Sequence, residues 1–180
     1  MTEAATVGRD EKLRLFLALL LPGDVEDALR AWGGRHLERG RILDHFHVTL
    51  AFLGSRPRRE LGDIIGVLRD AAAGTSRFTL APVRYRETRS VGMLVLDDPE
   101  REAIALAERI HTRLEKLGVY RREARAWLPH VTVLRFRERP RLRPPLPEIE
   151  PFAPSEAAAF LSRLHPSGAR YEILERVALQ

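Results

Sequence analysis

The sequence predicts a single mixed α+β domain made of two related lobes. Its 180 residues suit one domain, and strand-like and helix-like apolar patterns alternate along the chain. The segment His47–Leu50, His-Val-Thr-Leu, recurs 83 positions later as His130–Val133, His-Val-Thr-Val. Each copy falls in a strand candidate that follows a strand and a helix, so we expect the two lobes to face each other.

Two strands and two helices are predicted in the first part of the chain. A short apolar run ended by Pro22-Gly23 predicts a strand over residues 13–21. Apolar residues spaced three and four apart predict a helix over residues 24–37. Alternation predicts a second strand over residues 42–53, and an apolar stripe predicts a helix over residues 58–73.

The rest of the chain is richer in strands. A helix with a long apolar stripe is expected from Pro99 to Leu117, just before Gly118. A proline- and arginine-rich connection is expected over residues 137–151. Five segments have strand patterns: residues 77–87, 91–97, 127–136, 157–164 and 170–179.

Composition excludes several classes of site. The chain has no cysteine, which excludes disulfides, thiolate metal sites and cysteine nucleophiles. No apolar run reaches the roughly 18 residues of a membrane span, and the polar start, which we expect to be flexible over residues 1–12, is unlike a signal peptide. We therefore expect a cytoplasmic protein without a membrane partner.

The basic residues are almost all arginines. The chain carries 30 Lys+Arg against 25 Asp+Glu, a net charge of +5, and its only lysines are Lys12 and Lys116. Arginine's planar fork suits a polyanionic partner such as RNA. An arginine-rich genome would give the same surplus, so composition alone leaves the partner open.

Strand alternation places the polar residues of both motifs away from the core. In the first copy, Val48, Leu50 and Phe52 are expected on an apolar core face, and His47 and Thr49 on the opposite face. The second copy divides in the same way.

Two histidines with two threonines suit displacement at phosphorus. Imidazole titrates near pH 6.5, so at neutral pH one ring can accept a proton while the other donates one. The hydroxyls would donate hydrogen bonds to oxygens that gain charge. Two alternatives stay open: each His-x-Thr pair serves only its neighbouring strand, or His45, His47 and His130 bind zinc.

The chain resembles the 2H phosphoesterases and, among them, the bacterial and archaeal RNA 2′,3′-cyclic phosphodiesterases that are also called 2′-5′ RNA ligases. The resemblance covers nearly the whole chain, and the paired His-x-Thr motifs are its most specific part. It rests on these segments: Arg14–Leu19, His47–Gly54, Pro129–Arg135, Ser162-x-Leu164, Gly168 and Tyr171-x-x-Leu174.

This resemblance implies a bilobal α+β fold, with two pseudo-twofold-related lobes whose antiparallel-rich sheets surround a central cleft. It implies hydrolysis of a 2′,3′-cyclic phosphate end of RNA to a 2′-phosphomonoester, without metal or other cofactor. The family's ligase name implies the reverse joining reaction as well. Related enzymes act on small cyclic nucleotides or 2′-5′ oligonucleotides, and a non-catalytic RNA-binding module is a further alternative. We expect a monomer.

The resemblance also implies a role for each motif residue. His47 would be the general acid on the leaving O3′, and His130 the base that activates water. Thr49 and Thr132 would hold the phosphate, and Arg135 matches the family's phosphate-contacting arginine. Plain alternation puts Arg135 on the core side, so its reach into the site requires a strand end, a twist or a bulge.

His45 and Phe46 do not belong to the family's fixed pattern. Phe46 is expected in the core rather than as a base-stacking platform. We expect His45 to be a solvated neighbour of the site. The histidines expected on the surface are His36, His111 and His165.

A run of arginines at every second position follows the second motif. Prolines in the same segment favour an extended chain, which would place these side chains on one side. We interpret them, with Arg56, Arg58 and Arg59 after the first motif, as a basic rim that guides RNA toward the cleft, and a solvated loop is the alternative. The run comprises Arg135, Arg137, Arg139, Arg141 and Arg143.

Overall fold

The computed structural model describes residues 11–180. The predicted flexible N-terminus over residues 1–12 therefore lies outside the described residues except for its last two, and Lys12 already belongs to a strand. The helices are α1 (Gly23–His36), α2 (Leu61–Ala73) and α3 (Glu102–Lys116), and a turn of 3-10 helix spans Arg58–Glu60. The strands are β1 (Lys12–Leu20), β2 (Arg41–Ile42), β3 (His47–Pro57), β4 (Ala81–Glu87), β5 (Val91–Asp97), β6 (His130–Arg135), β7 (Glu156–Arg163) and β8 (Arg170–Ala178).

The predicted elements are all present, with one division that the sequence pattern did not indicate. The strand expected over residues 42–53 is two strands, because β2 pairs with β6 and the chain then leaves the sheet before β3 begins. The N–H of Leu43 still donates to the Val133 carbonyl across this edge, at 3.0 Å.

All strands of the described chain pair antiparallel in one sheet, in the order β4-β5-β6-β3-β1-β7-β8, with β2 also on β6. Between β3 and β6 the register contains the single pair Val48 and Val131. The sheet therefore consists of a first half-sheet (β3, β1, β7, β8) and a second half-sheet (β2, β4, β5, β6) joined at this narrow seam. The mixed α+β prediction is confirmed.

The two faces of the sheet have different roles. The helices cover one face, where alternate leucines of β1, from Leu13 to Leu19, join the main core with apolar residues of α1, α2 and α3. On the opposite face, Phe16 and Ala18 of β1 pack with Ala158 and Phe160 of β7 in a small separate cluster. The polar residues of the two motifs belong to this second face.

Helices α1 and α3 each contact the half-sheet other than the one whose strand they follow. α3 follows β5 of the second half-sheet, yet its His111 hydrogen-bonds through Nε2 to the Leu50 carbonyl of β3, at 2.7 Å. α1 follows β1 of the first half-sheet, yet its Trp32 contacts Tyr85 of β4, with ring centroids 6.4 Å apart. His111 is only 4% exposed, so the prediction that it lies on the surface is wrong, because its helix face turns toward β3.

In the described part of the chain, no helix combines the length and apolar character that crossing a membrane requires.

Candidate active site

A β-bulge follows the first His-x-Thr motif. Where β3 pairs with β1, the register passes from Thr49 to Ala51 and leaves Leu50 unpaired. Leu50 and Ala51 are both buried, so the alternation shifts by one residue and Phe52 turns to the face of His47. Phe52 is 48% exposed, and the prediction that it lies in the core is therefore wrong.

The second motif has a bulge at the corresponding position. β6 pairs with β5 through Thr132 and Leu134 and skips Val133. Val133 and Leu134 are both buried, whereas Arg135 is exposed. The bulge thus brings Arg135 to the face of His130 and Thr132, which uninterrupted alternation would not do.

The seam between the half-sheets brings the two motifs together. The valines that follow the two histidines are the register pair of β3 and β6. Continuing this antiparallel register by one residue on either side places His47 opposite Thr132 and Thr49 opposite His130. Cβ atoms of directly opposite residues lie about 5 Å apart and diagonal neighbours about 7–8 Å apart. The two motifs therefore lie side by side at the seam, and the charge of His130 contributes to the lowered pKa of His47.

His130 is held in a defined tautomer. Its Nδ1 lies 2.8 Å from the Leu128 carbonyl oxygen. A carbonyl oxygen only accepts hydrogen bonds, so Nδ1 carries a hydrogen, and in the neutral ring Nε2 is then the acceptor. Such a ring can accept a proton at Nε2.

His47 has an aromatic surrounding. Its ring centroid lies 5.0 Å from that of Phe16, and Tyr171 meets it edge-on at 5.5 Å. Burial is the main cause that lowers the pKa of His47 to about 4, and the positive charge of Arg135 lowers it further. The imidazole is therefore neutral at pH 7 in the free protein.

A cavity of about 310 Å³ lies beside His47, and we call it the histidine cavity. Thr49 and Arg135 also line it, whereas His130 and Thr132 do not and adjoin it across the seam. Guanidinium and hydroxyl groups dominate its polar wall. The residues that contribute them are Arg14, Arg41, Arg135, Thr49, Ser162 and Tyr171.

Arg14 and Arg41 were not identified from the sequence. Arg14 shares the strand parity of Phe16 on β1, and this polar position inside an apolar strand was an available signal. β2 is two residues long, so no periodicity marked Arg41.

Gly40 and Gly168 leave the space that Arg41 and its neighbours occupy. Arg41 is the register partner of Arg135, and its Nη1 donates to the Ser167 carbonyl at 2.8 Å. Gly168 has φ +120°, and a Cβ there would overlap the Arg41 guanidinium. A Cβ at Gly40 would lie 2.6 Å from the Arg135 carbonyl oxygen. Both positions therefore need glycine for Arg41 to lie at the cavity.

The described residues contain no group of three His, Asp or Glu side chains arranged to hold a metal ion. His45 is exposed and lies 3.8 Å from Asp44. The geometry therefore gives no support to a zinc site formed by His45, His47 and His130. Phe46 is buried, as expected.

Comparison with known proteins identifies the family. A family model described as the 2′-5′ RNA ligase superfamily matches residues 22–165. A solved structure described as a phosphoesterase is 27% identical, with a TM-score of 0.83 over 94% of this chain and 99% of that chain. E. coli LigT complexed with 3′-AMP is 25% identical, with a TM-score of 0.81 and the same two coverages, 94% and 99%.

A third structure, TT0787 of Thermus thermophilus, is 26% identical, with a TM-score of 0.77 over 93% of this chain and 98% of that chain. No curated protein matches the chain. The resemblance to the 2H phosphoesterases and the corresponding fold class are confirmed. The chain belongs to the 2′-5′ RNA ligase superfamily.

Proposed function

We propose that this protein hydrolyses 2′,3′-cyclic phosphate ends of RNA to 2′-phosphomonoesters. Its family supports phosphodiesterase-type chemistry. The observation that carries the proposal is the seam, where the two His-x-Thr strands pair through the valines that follow the two histidines. The LigT structures described as complexes with 3′-AMP and with phosphate indicate that a nucleotide phosphate fits this fold.

The cyclic phosphate would bind between the two motifs. The hydroxyls of Thr49 and Thr132 donate hydrogen bonds to non-bridging oxygens, and the guanidinium of Arg135 pairs with the negative charge. These contacts strengthen as charge grows on the phosphoryl oxygens in the transition state. Arg41, beside Arg135, supports the same charge.

Two proton transfers complete the reaction. Nε2 of His130 takes a proton from water while the water oxygen attacks phosphorus. The bond from phosphorus to O3′ breaks, and O3′ takes a proton from His47, leaving a 2′-phosphate and a 3′-hydroxyl. The low pKa of free His47 means that the bound phosphate must supply the negative charge that stabilises its protonated form.

No metal is required when both proton transfers are made by imidazoles. We expect full activity after treatment with a chelator and removal of bound metal, measured beside metal analysis of the same sample. Activity that is lost with the chelator and restored by one divalent ion would contradict this mechanism.

The reverse reaction uses the same groups by microscopic reversibility. A 5′-hydroxyl would take the place of water, and the product would be a 2′-5′ linkage. We propose that the enzyme acts as a monomer in the cytoplasm. One chain contributes both motifs at the seam, so the site needs no second copy. Sedimentation at several protein concentrations tests the monomer.

Product analysis on an RNA with a cyclic end tests the proposal. We expect a 2′-phosphate end, and a 3′-phosphate or no product would contradict it. His47→Ala and His130→Ala should each lower kcat by roughly 100-fold or more. The control is His36→Ala, an exposed residue of α1, which should keep normal turnover. Near-normal rates in His130→Ala would exclude the two-histidine mechanism.

The same experiment separates the alternatives. A panel of cyclic mononucleotides, RNA with a cyclic end and 2′-5′ oligonucleotides identifies the substrate. Tight RNA binding without product after long incubation would favour a binding module.

A further inference from the structure

A second, larger cavity adjoins the histidine cavity. It has a volume of about 820 Å³ and lies between the β2–β6 edge and the turn that joins β7 to β8. Arg41 and Arg135 line both cavities, so the two spaces meet at this pair. We call it the arginine cleft. Its guanidinium groups come from Arg39, Arg41, Arg135, Arg137 and Arg139.

The arginine cleft has an excess of positive charge. Arg41 and Arg135 lie directly opposite each other in the β2–β6 register, an arrangement that is unfavourable for like charges without a counterion. Two arginines of the cleft pair with carboxylates: Arg39 with Glu38 at 3.7 Å and Arg139 with Glu87 at 3.2 Å. Among the described residues, no ion pair is formed by Arg41, Arg135 or Arg137. Glu138 is the one carboxylate in the lining. An anion in the cleft would relieve this repulsion.

The wall that carries Arg137 and Arg139 is fixed in place. Buried Glu87 accepts hydrogen bonds from the backbone N–H groups of Arg141 and Leu142, at 2.9 and 2.8 Å, and it pairs with Arg139 at 3.2 Å. Further along, Trp32 donates through Nε1 to the Pro145 carbonyl at 2.8 Å. The connection predicted over residues 137–151 is therefore anchored at several points. The backbone just beyond Arg139 is therefore held in place, which lowers the cost of ordering this wall on binding.

We propose that the arginine cleft binds the 5′-phosphate of the nucleotide whose cyclic phosphate reacts at the two histidines. In an RNA strand this group is the internucleotide phosphate next to the end. The inference rests on the proposed function and deepens it, because it makes an RNA strand a better substrate than a lone cyclic nucleoside phosphate. The shared pair, Arg41 and Arg135, lies between the two phosphate positions.

Three substrates test this second phosphate site. They are a nucleoside 2′,3′-cyclic phosphate, the same molecule with a 5′-phosphate, and a dinucleotide with a terminal cyclic phosphate. We expect Arg137→Ala to lower kcat/KM about tenfold on the last two, as loss of one charged hydrogen bond implies. On the first substrate it should stay within twofold of the wild type.

A charge-matched control accompanies this variant. Arg77 is exposed, lies between α2 and β4, and lines none of the described cavities. Arg77→Ala should therefore leave all three substrates unaffected. Equal losses in Arg137→Ala and Arg77→Ala, or a wild type that does not distinguish the three substrates, would overturn the inference. A loss confined to the dinucleotide would also overturn it, because the 5′-phosphate of the second substrate should occupy the same site.

A binding measurement separates this inference from the proposed function. The ligand is an RNA dinucleotide with a terminal 2′-phosphate, so that no reaction takes place during the titration. Its binding is compared between the single variant His130→Ala and the double variant with His130→Ala and Arg137→Ala. We expect about tenfold weaker binding by the double variant. If the wild-type protein hydrolysed no cyclic phosphate and the double variant still bound more weakly, the proposed function would be wrong and the second phosphate site would remain. Unchanged binding would overturn the site itself.

Discussion

At the scale of single residues, the environment of His47 links the fold to its chemistry. Phe16 and Tyr171 enclose the ring, and Arg135 adds positive charge beside it. Both effects disfavour the imidazolium form. His130 differs, because the Leu128 carbonyl fixes its Nδ1 hydrogen and leaves Nε2 free. Two identical side chains thus occupy environments suited to different roles.

The low pKa of His47 predicts a loss of stability in acid. The pKa is about 4 in the folded protein and 6.5 in the unfolded chain, so the unfolded state binds the proton more readily. This part of the stability is complete above pH 6.5 and is lost as the pH falls toward 4. At pH 4.5 the loss is about 2–3 kcal/mol.

Replacing His47 should remove that contribution. We expect His47→Gln to lose about 2–3 kcal/mol less than the wild type between pH 7 and pH 4.5, measured by urea unfolding at each pH. The matched control is His36→Gln, which replaces an exposed histidine of α1 and should follow the wild type. Equal acid sensitivity of His47→Gln and the wild type would contradict the prediction.

At the scale of elements, the two bulges determine which side chains reach the site. Each lies three residues after its histidine, at Leu50 in β3 and at Val133 in β6. A bulge removes a residue from the ladder, so its backbone groups need other partners. The Leu50 carbonyl hydrogen-bonds to His111, and the Val133 carbonyl accepts from the N–H of Leu43.

This arrangement predicts a structural role for His111. His111→Leu would leave the buried Leu50 carbonyl without its partner, and we expect a loss of about 1–3 kcal/mol in the free energy of unfolding. His111→Gln retains an N–H donor and should lose less. Chemical denaturation of both variants at pH 7 checks the prediction, and a Leu variant as stable as the Gln variant would refute it.

Helices and strands were predictable from the sequence where the spacing of apolar residues within a single element indicates its type. Helices α1, α2 and α3 and the strands around the motifs follow from local periodicity. The bulges do not, because they arise from the pairing of β3 with β1 and of β6 with β5, which are distant in sequence. Phe52 was therefore placed on the wrong face, and the same effect explains why Arg135 faces the site.

The site was predictable only in part for a similar reason. His47, Thr49, His130 and Thr132 belong to a repeated motif, and repetition is visible in a single sequence. Arg41 belongs to a two-residue strand, and its position depends on Gly168 more than a hundred positions away. Local patterns contain no information about such a contact.

At the scale of the whole molecule, the distribution of positive charge matters more than its sum of +5. The arginine cleft concentrates guanidinium groups beside the histidine cavity. Two of its arginines pair with carboxylates, Arg39 with Glu38 and Arg139 with Glu87, as Arg113 does with Asp70 at 3.0 Å. Among the described residues, Arg41, Arg135 and Arg137 of the cleft form no ion pair, so positive charge beside the histidine cavity is available to an anion.

This distribution predicts a strong dependence of RNA binding on salt. For a single strand, the logarithm of the binding constant should fall with log salt concentration with a slope of roughly −1.5 to −3, if two to four phosphates are contacted. A nucleoside 2′,3′-cyclic phosphate, with one phosphate, should show a slope of roughly −0.7. Titrations at several salt concentrations, with His130→Ala to prevent turnover, compare the two. Equal slopes would contradict an extended contact with the strand.

The contacts that α1 and α3 make with the opposite half-sheets affect how this chain can fold. Trp32 of α1 packs on β4, and His111 of α3 is bonded to β3, so each of these two helices contacts strands of the half-sheet that it does not directly follow. These native contacts join residues far apart in sequence. Chains with such topology fold more slowly than chains dominated by local contacts. The two motifs meet only where β3 pairs with β6, so a truncated chain that lacks either strand would contain one motif without forming a site.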